Sequence, residues 1–106
     1  MKVYLAGPMT GIKDFNFSAF MAGAKILRDQ GHYVFNPAEA DLAKWGNIQE
    51  IEKKATYRDC LRTDLNWILD HAEAIALLPG WENSKGVAAE LALSKALGLE
   101  IMHVAP

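Results

Sequence analysis

The sequence has little that could cross-link the chain, bind a metal or enter a membrane. It contains one cysteine, Cys60, so an internal disulfide is excluded and a reducing compartment is expected. Its three histidines are scattered and show no metal-ligand spacing. No apolar run is long enough to cross a bilayer, and Met1-Lys2 leads into a short apolar strand, unlike a secretory signal. We therefore expect a soluble, cytoplasmic protein with no metal and no cofactor.

Charge and length limit the function further. The net charge is −2, which argues against a surface built for a nucleic acid polymer, because such a surface needs a basic stripe. A small anion can still bind locally, since a helix end and one lysine suffice. With 106 residues, about half of them apolar, and with no repeat or linker, the chain is expected to form a single domain over residues 1–106.

Strand-like and helix-like segments alternate along the chain. The apolar patterns predict strands at 2–6, 32–35, 74–78 and 100–104, and helices at 17–30, 56–71 and 84–97. Asn16 or Ser18 is expected to cap the first helix, whereas segment 38–54 is ambiguous because Gly46-Asn47 interrupts a helical pattern. This alternation predicts an α/β fold with a parallel sheet of four or five strands and helices on both faces.

Two loops fall at the carboxyl ends of predicted strands, where parallel sheets bind ligands. The first is Gly7-Pro8-Met9-Thr10-Gly11, whose glycines would let the backbone approach a planar ligand while Met9 forms a pliable apolar wall. Taken alone, however, this loop is better explained as an ordinary strand-ending turn.

The second loop leads into a helix that begins at Ser84-Lys85-Gly86. The first N–H groups of a helix lack partners, so an anion can bind beside these residues. Trp81 and Trp67 could each stack on a base, although packing in the core is the simpler role for Trp67.

Two acids are predicted on the packing sides of helices. On a helical wheel Glu90 lies near Leu93 and Leu97, and it leans toward Gly86 one turn earlier. Asp64 lies among the residues that form the packing side of its helix, namely Tyr57, Cys60, Leu61, Trp67 and Ile68. Each acid alone could be a partly buried carboxylate paired with a turn N–H or a basic neighbour. Two carboxylates across one cleft, however, are the groups that cleave a glycosidic bond.

The order and spacing of these residues resemble the nucleoside 2-deoxyribosyltransferase superfamily, and most of all its 2′-deoxynucleoside 5′-phosphate N-hydrolases and short phage or prophage relatives. The resemblance is carried by Val3-Tyr4-Leu5-Ala6-Gly7-Pro8-Met9-Thr10-Gly11, Asp64-Leu65-Asn66-Trp67-Ile68 and Ser84-x-Gly86-x-x-x-Glu90-Leu91. It implies a flavodoxin-like domain that works as a homodimer or higher oligomer.

The resemblance also implies roles for individual residues. Glu90 matches the nucleophile, Asp64 the residue that orients the sugar and assists protonation, and Tyr4 a tyrosine that hydrogen-bonds the nucleophile. Without the resemblance, a lone strand tyrosine such as Tyr4 is more often a core residue. Ser84 and Gly86 match residues that hold a 5′-phosphate, and the loop 7–11 corresponds to the loop around the base.

The leading hypothesis is an N-glycosidase that cleaves the base–sugar bond of a 2′-deoxynucleoside 5′-monophosphate, with Trp81, Ser84, Lys85 and Gly86 in the substrate site. Lys85 favours a phosphorylated substrate, since transferases often have an acid at that position. The alternatives are base exchange by a transferase, a nucleotide-binding module without turnover, and a structural oligomer. The base stays open, as does ribose against deoxyribose.

Overall fold

Four short strands form one parallel sheet in the computed structural model, which describes residues 1–106. In chain order the strands are β1 (Lys2–Ala6), β2 (Tyr33–Phe35), β3 (Ala74–Leu77) and β4 (Glu100–His103). They lie side by side in the order β2-β1-β3-β4, and every neighbouring pair is parallel. The predicted α/β architecture is confirmed, and the strand order is that of a flavodoxin-like fold.

Five α-helices and two short 3₁₀ turns connect the strands. The helices are α1 (Phe17–Asp29), α2 (Pro37–Trp45), α3 (Ile48–Lys54), α4 (Tyr57–His71) and α5 (Lys85–Ala96), and the 3₁₀ turns are Lys13–Asn16 and Trp81–Asn83. Each predicted helix and strand is confirmed to within one residue at both ends. None of the helices is long and apolar enough to span a membrane.

Both faces of the sheet are covered by helices, and each strand contributes side chains to both faces because successive side chains alternate between them. In β1, Val3 and Leu5 belong to the core cluster that contains the buried residues of α1. Tyr4 and Ala6 point the other way and belong to a second cluster, which includes Ile68 of α4 and Val87 of α5. A polar group on Tyr4 is therefore directed toward α4 and α5.

The ambiguous segment 38–54 contains two helices instead of one. Asn36 caps α2 by accepting a hydrogen bond from the N–H of Ala38 at 3.0 Å, and Pro37 takes the first helical position, which suits its fixed φ. Gly46 ends α2 with a φ of 94°, and Asn47 then caps α3 through the N–H of Glu50. Asn36-Pro37 thus ends β2 and starts a helix at the same time.

The chain before α1 has a left-handed backbone that the sequence pattern did not indicate. Asp14, Phe15 and Asn16 have φ values of 52°, 53° and 62°. Asn16 occupies the N-cap position of α1, one of the two positions predicted, but its side chain makes no capping hydrogen bond. Ser18 lies inside the helix, and the side-chain amide of Asn16 donates to the carbonyl oxygen of Pro8 at 3.1 Å instead of accepting a helix N–H.

Candidate active site

The two predicted loops meet at the topological switch point of the sheet. β1 and β3 are neighbours, and the chain leaves β1 toward β2 on one side and β3 toward β4 on the other. Crevices at such points are the usual ligand sites of open parallel sheets. The loops touch here, since a methyl group added to Gly80 would lie 3.2 Å from Cγ of Pro8.

Tyr4 and Glu90 form a buried hydrogen bond at this switch point. The hydroxyl of Tyr4 donates to Oε2 of Glu90 at 2.8 Å, and Glu90 is only 6% exposed. The second oxygen, Oε1, has no such partner. Every fully buried side-chain oxygen of the chain has a hydrogen-bond partner, so Oε1 reaches solvent. The carboxyl of Glu90 also lies within hydrogen-bonding range of the Asp64 carboxyl. One carboxylate oxygen is thus held by Tyr4 while the other is reached by solvent.

Asp64 of α4 completes a cluster with these two residues. Burial raises the pKa of Asp64 from the usual carboxyl range into the neutral range. The hydrogen bond with the Tyr4 hydroxyl lowers this pKa, and the negative charge of Asp41 raises it. Burial also raises the pKa of Glu90, and the nearby charge of Asp64 raises it further. Because the two carboxyls interact, they share a proton near neutral pH. The structure therefore brings together the three residues for which the sequence predicted catalytic roles.

The start of α5 presents polar groups that have free hydrogen-bonding capacity, one turn from Glu90. Ser84 caps the helix, since its Oγ accepts from the N–H of Val87 at 3.3 Å. The N–H groups of Lys85 and Gly86 have no acceptor within the chain. A Cβ added to Gly86 would lie 3.9 Å from Oγ of Ser84 and 3.7 Å from the hydroxyl of Tyr57. We call the space bounded by these four groups the Gly86 site.

Tyr57 is a residue that sequence reasoning missed at this site. The helical wheel placed it on the packing side of α4, but its side chain is 58% exposed. It lies in the first turn of the helix, where its hydroxyl faces the start of α5. The signal was present, because Tyr57 shares a wheel face with Asp64, but periodicity shows a direction and not how far the core extends.

Comparison with known proteins gives a family and no activity. The chain belongs to the DUF4406 family. This family is described as a domain of unknown function, and its match covers residues 1–103. No curated protein and no solved structure matched the chain. The roles assigned to residues of this DUF4406 chain therefore depend on its own geometry and on the resemblance noted in its sequence.

The glycines of the loop 7–11 are explained by the fold itself. A Cβ on Gly7 would lie 2.8 Å from Cβ of Leu78, so any larger residue would clash. Gly11 has a φ of +80°, a left-handed turn conformation that favours glycine. Between them, Pro8 packs near Gly80, Met9 is partly buried against the core, and Thr10 is exposed. The turn interpretation accounts for both glycines, and contact of this loop with a base stays a prediction.

The two tryptophans differ in their surroundings. Trp67 stacks on Phe35 with ring centroids 5.0 Å apart and lies 6.4 Å from the ring of Tyr4, so its expected core role is confirmed. Trp81 is half-buried against the α4–α5 side of the sheet, with its ring 6.1 Å from that of His103. Stacking of Trp81 on a base stays a prediction.

Asp41 is a second residue that sequence reasoning missed. It lies on α2 in the ambiguous segment, has no hydrogen bond, and shares a small cavity of about 30 Å³ with Cys60 of α4. Burial raises the pKa of Asp41 to about 6, although Lys44 lowers it. The pKa of the Cys60 thiol is likewise raised to about 11, mainly by burial and to a smaller extent by the negative charges of Asp41 and Asp64. A neutral thiol is a poor nucleophile, which agrees with the expectation that Cys60 is inert.

Proposed function

We propose that the chain is an N-glycosidase that hydrolyses the base–sugar bond of a 2′-deoxynucleoside 5′-monophosphate. The observation that carries this proposal is the Tyr4–Glu90 hydrogen bond, which fixes a buried carboxyl group at the switch point and leaves its second oxygen in reach of solvent. Asp64 beside it supplies a second carboxyl group, and burial raises the pKa of both carboxyls so that the pair holds a proton near neutral pH. A carboxylate and a carboxylic acid on one cleft are the two groups that glycoside cleavage needs.

In the proposed first step Oε1 of Glu90 attacks C1′ of the sugar. The reactive form of the pair is the one with the shared proton on Asp64 and a carboxylate at Glu90, in which Tyr4 occupies Oε2 and leaves Oε1 for the substrate. The bond from C1′ to the base nitrogen breaks, its electron pair leaves with the base, and Asp64 donates a proton to that base. The products of this step are the free base and a glycosyl ester on Glu90.

The second step releases the sugar. Asp64, now a carboxylate, removes a proton from a water molecule, whose oxygen attacks C1′ and displaces Glu90. This step regenerates the shared proton and yields 2-deoxyribose 5-phosphate. If a second base captures the ester instead of water, the same residues catalyse base exchange, so the two activities differ only in the acceptor.

The Gly86 site supports a phosphorylated substrate. It lies one helical turn, about 5.4 Å, from Glu90 along the same face of α5. A sugar whose C1′ meets Glu90 would extend its 5′ end toward the free N–H groups of Lys85 and Gly86. Helix N-termini favour anions, and the exposed Lys85 adds a positive charge in the first turn of α5.

The proposal is tested by incubating the protein with deoxynucleoside and ribonucleoside monophosphates, modified pyrimidines included, and measuring free base by chromatography. We expect base release from at least one deoxynucleotide. Glu90→Ala and Glu90→Gln should reduce it by on the order of 10³-fold or more, since each removes the nucleophile. Glu52→Gln, on the exposed side of α3, is the matched control and should keep full activity.

Two results would contradict this assignment. A Glu90→Ala protein that keeps most of the activity would exclude Glu90 as nucleophile. No base release from any nucleotide, with thermal stabilisation by one of them that survives Glu90→Gln, would indicate a binding module. Adding a second free base to an active sample separates hydrolase from transferase, because only a transferase makes a new nucleotide at a useful rate.

A further inference from the structure

The glycine at position 86 is not required by the fold. Of the eight glycines, five have a positive φ. Two more, Gly7 and Gly23, would place a Cβ within 3.0 Å of Leu78. Gly86 belongs to neither group, since its nearest neighbours would lie at ordinary contact distances of 3.7 and 3.9 Å. A methyl group would fit there, and glycine is less favourable than alanine in a helix. Neither packing nor backbone geometry therefore explains why position 86 lacks a side chain.

Groups from two helices face the Gly86 site. α5 contributes the free N–H groups of Lys85 and Gly86 and the Oγ of Ser84. α4 contributes the hydroxyl of Tyr57, which has no hydrogen-bond partner in the chain although it faces the start of α5. Glu90 lies one helical turn further along α5 and is more than nine-tenths buried.

We propose that Tyr57 is a substrate-binding residue whose hydroxyl donates a hydrogen bond to a phosphate monoester bound in the Gly86 site. In this arrangement the phosphate is held by backbone N–H groups of α5 on one side and by Tyr57 on the other. Tyr57 then sets the preference for nucleotides over nucleosides, because a nucleoside has no group that reaches it. The inference depends on the proposed function for the identity of the substrate but can be tested without turnover.

The test uses 2-deoxyribose 5-phosphate as a probe that contains the sugar and the phosphate but no base. Its dissociation constant is measured by isothermal titration calorimetry for the unmodified protein and for Tyr57→Phe. We expect about a tenfold weaker affinity for the variant, as for loss of one hydrogen bond to a charged group. Tyr33→Phe is the matched control, because Tyr33 is 67% exposed and begins β2 at the opposite end of the strands. It should bind like the unmodified protein.

The outcomes separate the inference from the proposed function. If Tyr57→Phe unfolds at the same temperature as the unmodified protein and binds the probe equally well, the inference is overturned, whatever the activity. Failure of the unmodified protein to bind the probe would also overturn it. If the affinity falls as expected but no nucleotide releases its base, Tyr57 is a phosphate-binding residue and the proposed glycosidase is wrong. In an active protein, Tyr57→Phe should lower kcat/KM for the nucleotide and leave that for the matching nucleoside unchanged.

Discussion

Gly86 and Glu90 occupy the same face of α5, one turn apart, and the space between them depends on the missing side chain at position 86. Gly86→Ala tests this point at the scale of a single residue. Alanine fits at ordinary contact distances, so the free energy of unfolding should rise by about 0.5–1 kcal/mol. The same methyl group would occupy the Gly86 site, so the affinity for 2-deoxyribose 5-phosphate should fall. Urea unfolding and calorimetry measure the two effects separately.

Gly11→Ala is the control for this substitution. Gly11 has a φ of +80° and no atom within 4 Å of an added Cβ, so alanine there would be strained without crowding. It should lower the free energy of unfolding by about 1 kcal/mol. A Gly86→Ala protein that is both less stable and fully able to bind the probe would contradict the argument.

Single residues also show how far sequence reasoning reaches. Helical periodicity placed Asp64 and Glu90 on packing faces, because a wheel requires only the local repeat of 3.6 residues. It could not show that the exposed Tyr57 reaches the start of α5 or that Asp41 and Cys60 line one cavity. Both facts depend on where one helix ends relative to another, and no local pattern contains that distance.

At the scale of secondary-structure elements, Asn36 joins three of them. Asn36 directly follows β2, and its side chain is only 3% exposed. The side-chain oxygen caps α2, and the side-chain N–H donates to the carbonyl oxygen of Phe20 in α1 over 3.4 Å. We expect Asn36→Ala to lower the free energy of unfolding by about 2–3 kcal/mol, because it removes a helix cap and leaves buried groups unpaired. Chemical unfolding monitored by circular dichroism measures the change.

Asn47→Ala is the matched control, since Asn47 caps the next helix, α3, through an exposed hydrogen bond. Asn47→Ala should lower the free energy of unfolding by about 1 kcal/mol or less. Equal costs for the two variants would show that the buried position of Asn36 adds nothing to its role as a cap.

The least predictable elements lie where local signals conflict. In segment 38–54 a helical apolar pattern is interrupted by Gly46-Asn47, which ends one helix and caps the next. The left-handed stretch Asp14–Asn16 contains no glycine, the residue that would have indicated such a backbone in the sequence. A left-handed conformation at a non-glycine residue lowers the free energy of unfolding by about 1–2 kcal/mol. The stretch is held partly by the hydrogen bond from Asn16 to Pro8, a contact that forms only once the loop after β1 is in place.

For the whole molecule, the buried acids predict how stability varies with pH. The folded-state pKa values of Asp64 and Glu90 lie above the unfolded value near 4, mainly because of burial. The folded protein then binds more protons than the unfolded chain, so this pair lowers the free energy of unfolding as pH rises from about 4 into the neutral range. Arg28 lowers the pKa of Glu39, which contributes with the opposite sign at acidic pH.

Glu90→Gln isolates the contribution of the pair. At pH 8 the variant should be more stable than the unmodified protein by at least about 1 kcal/mol, since glutamine carries no charge to bury. The difference should shrink as the pH falls toward 4, because Glu90 becomes protonated in both states below its unfolded pKa. Thermal and urea unfolding across pH 4–8 measure it, with Glu52→Gln as the control. A variant that is destabilised equally at all pH values would show that burial does not raise the pKa of Glu90.

The assembly of the molecule is a further property at this scale. The resemblance of the sequence to deoxyribosyltransferases implies a homodimer or higher oligomer, and this stays a prediction for light scattering to test. The Gly86 site requires no second chain for the contacts described, because all four of its groups come from α4, α5 and the residue that caps α5.

The sequence by itself determined the local features of this protein: the bounds of the strands and main helices, the alternation that gives a parallel sheet, and the inward direction of Asp64 and Glu90. These follow from interactions between residues a few positions apart, which a linear pattern records. Only the tertiary structure decided that Tyr4, Asp64 and Glu90 meet and that Tyr57 faces Gly86. The reason is that the order β2-β1-β3-β4 sets β1 beside β3 and packs α4 and α5 on the side that Tyr4 faces. This brings together residues that are far apart along the chain.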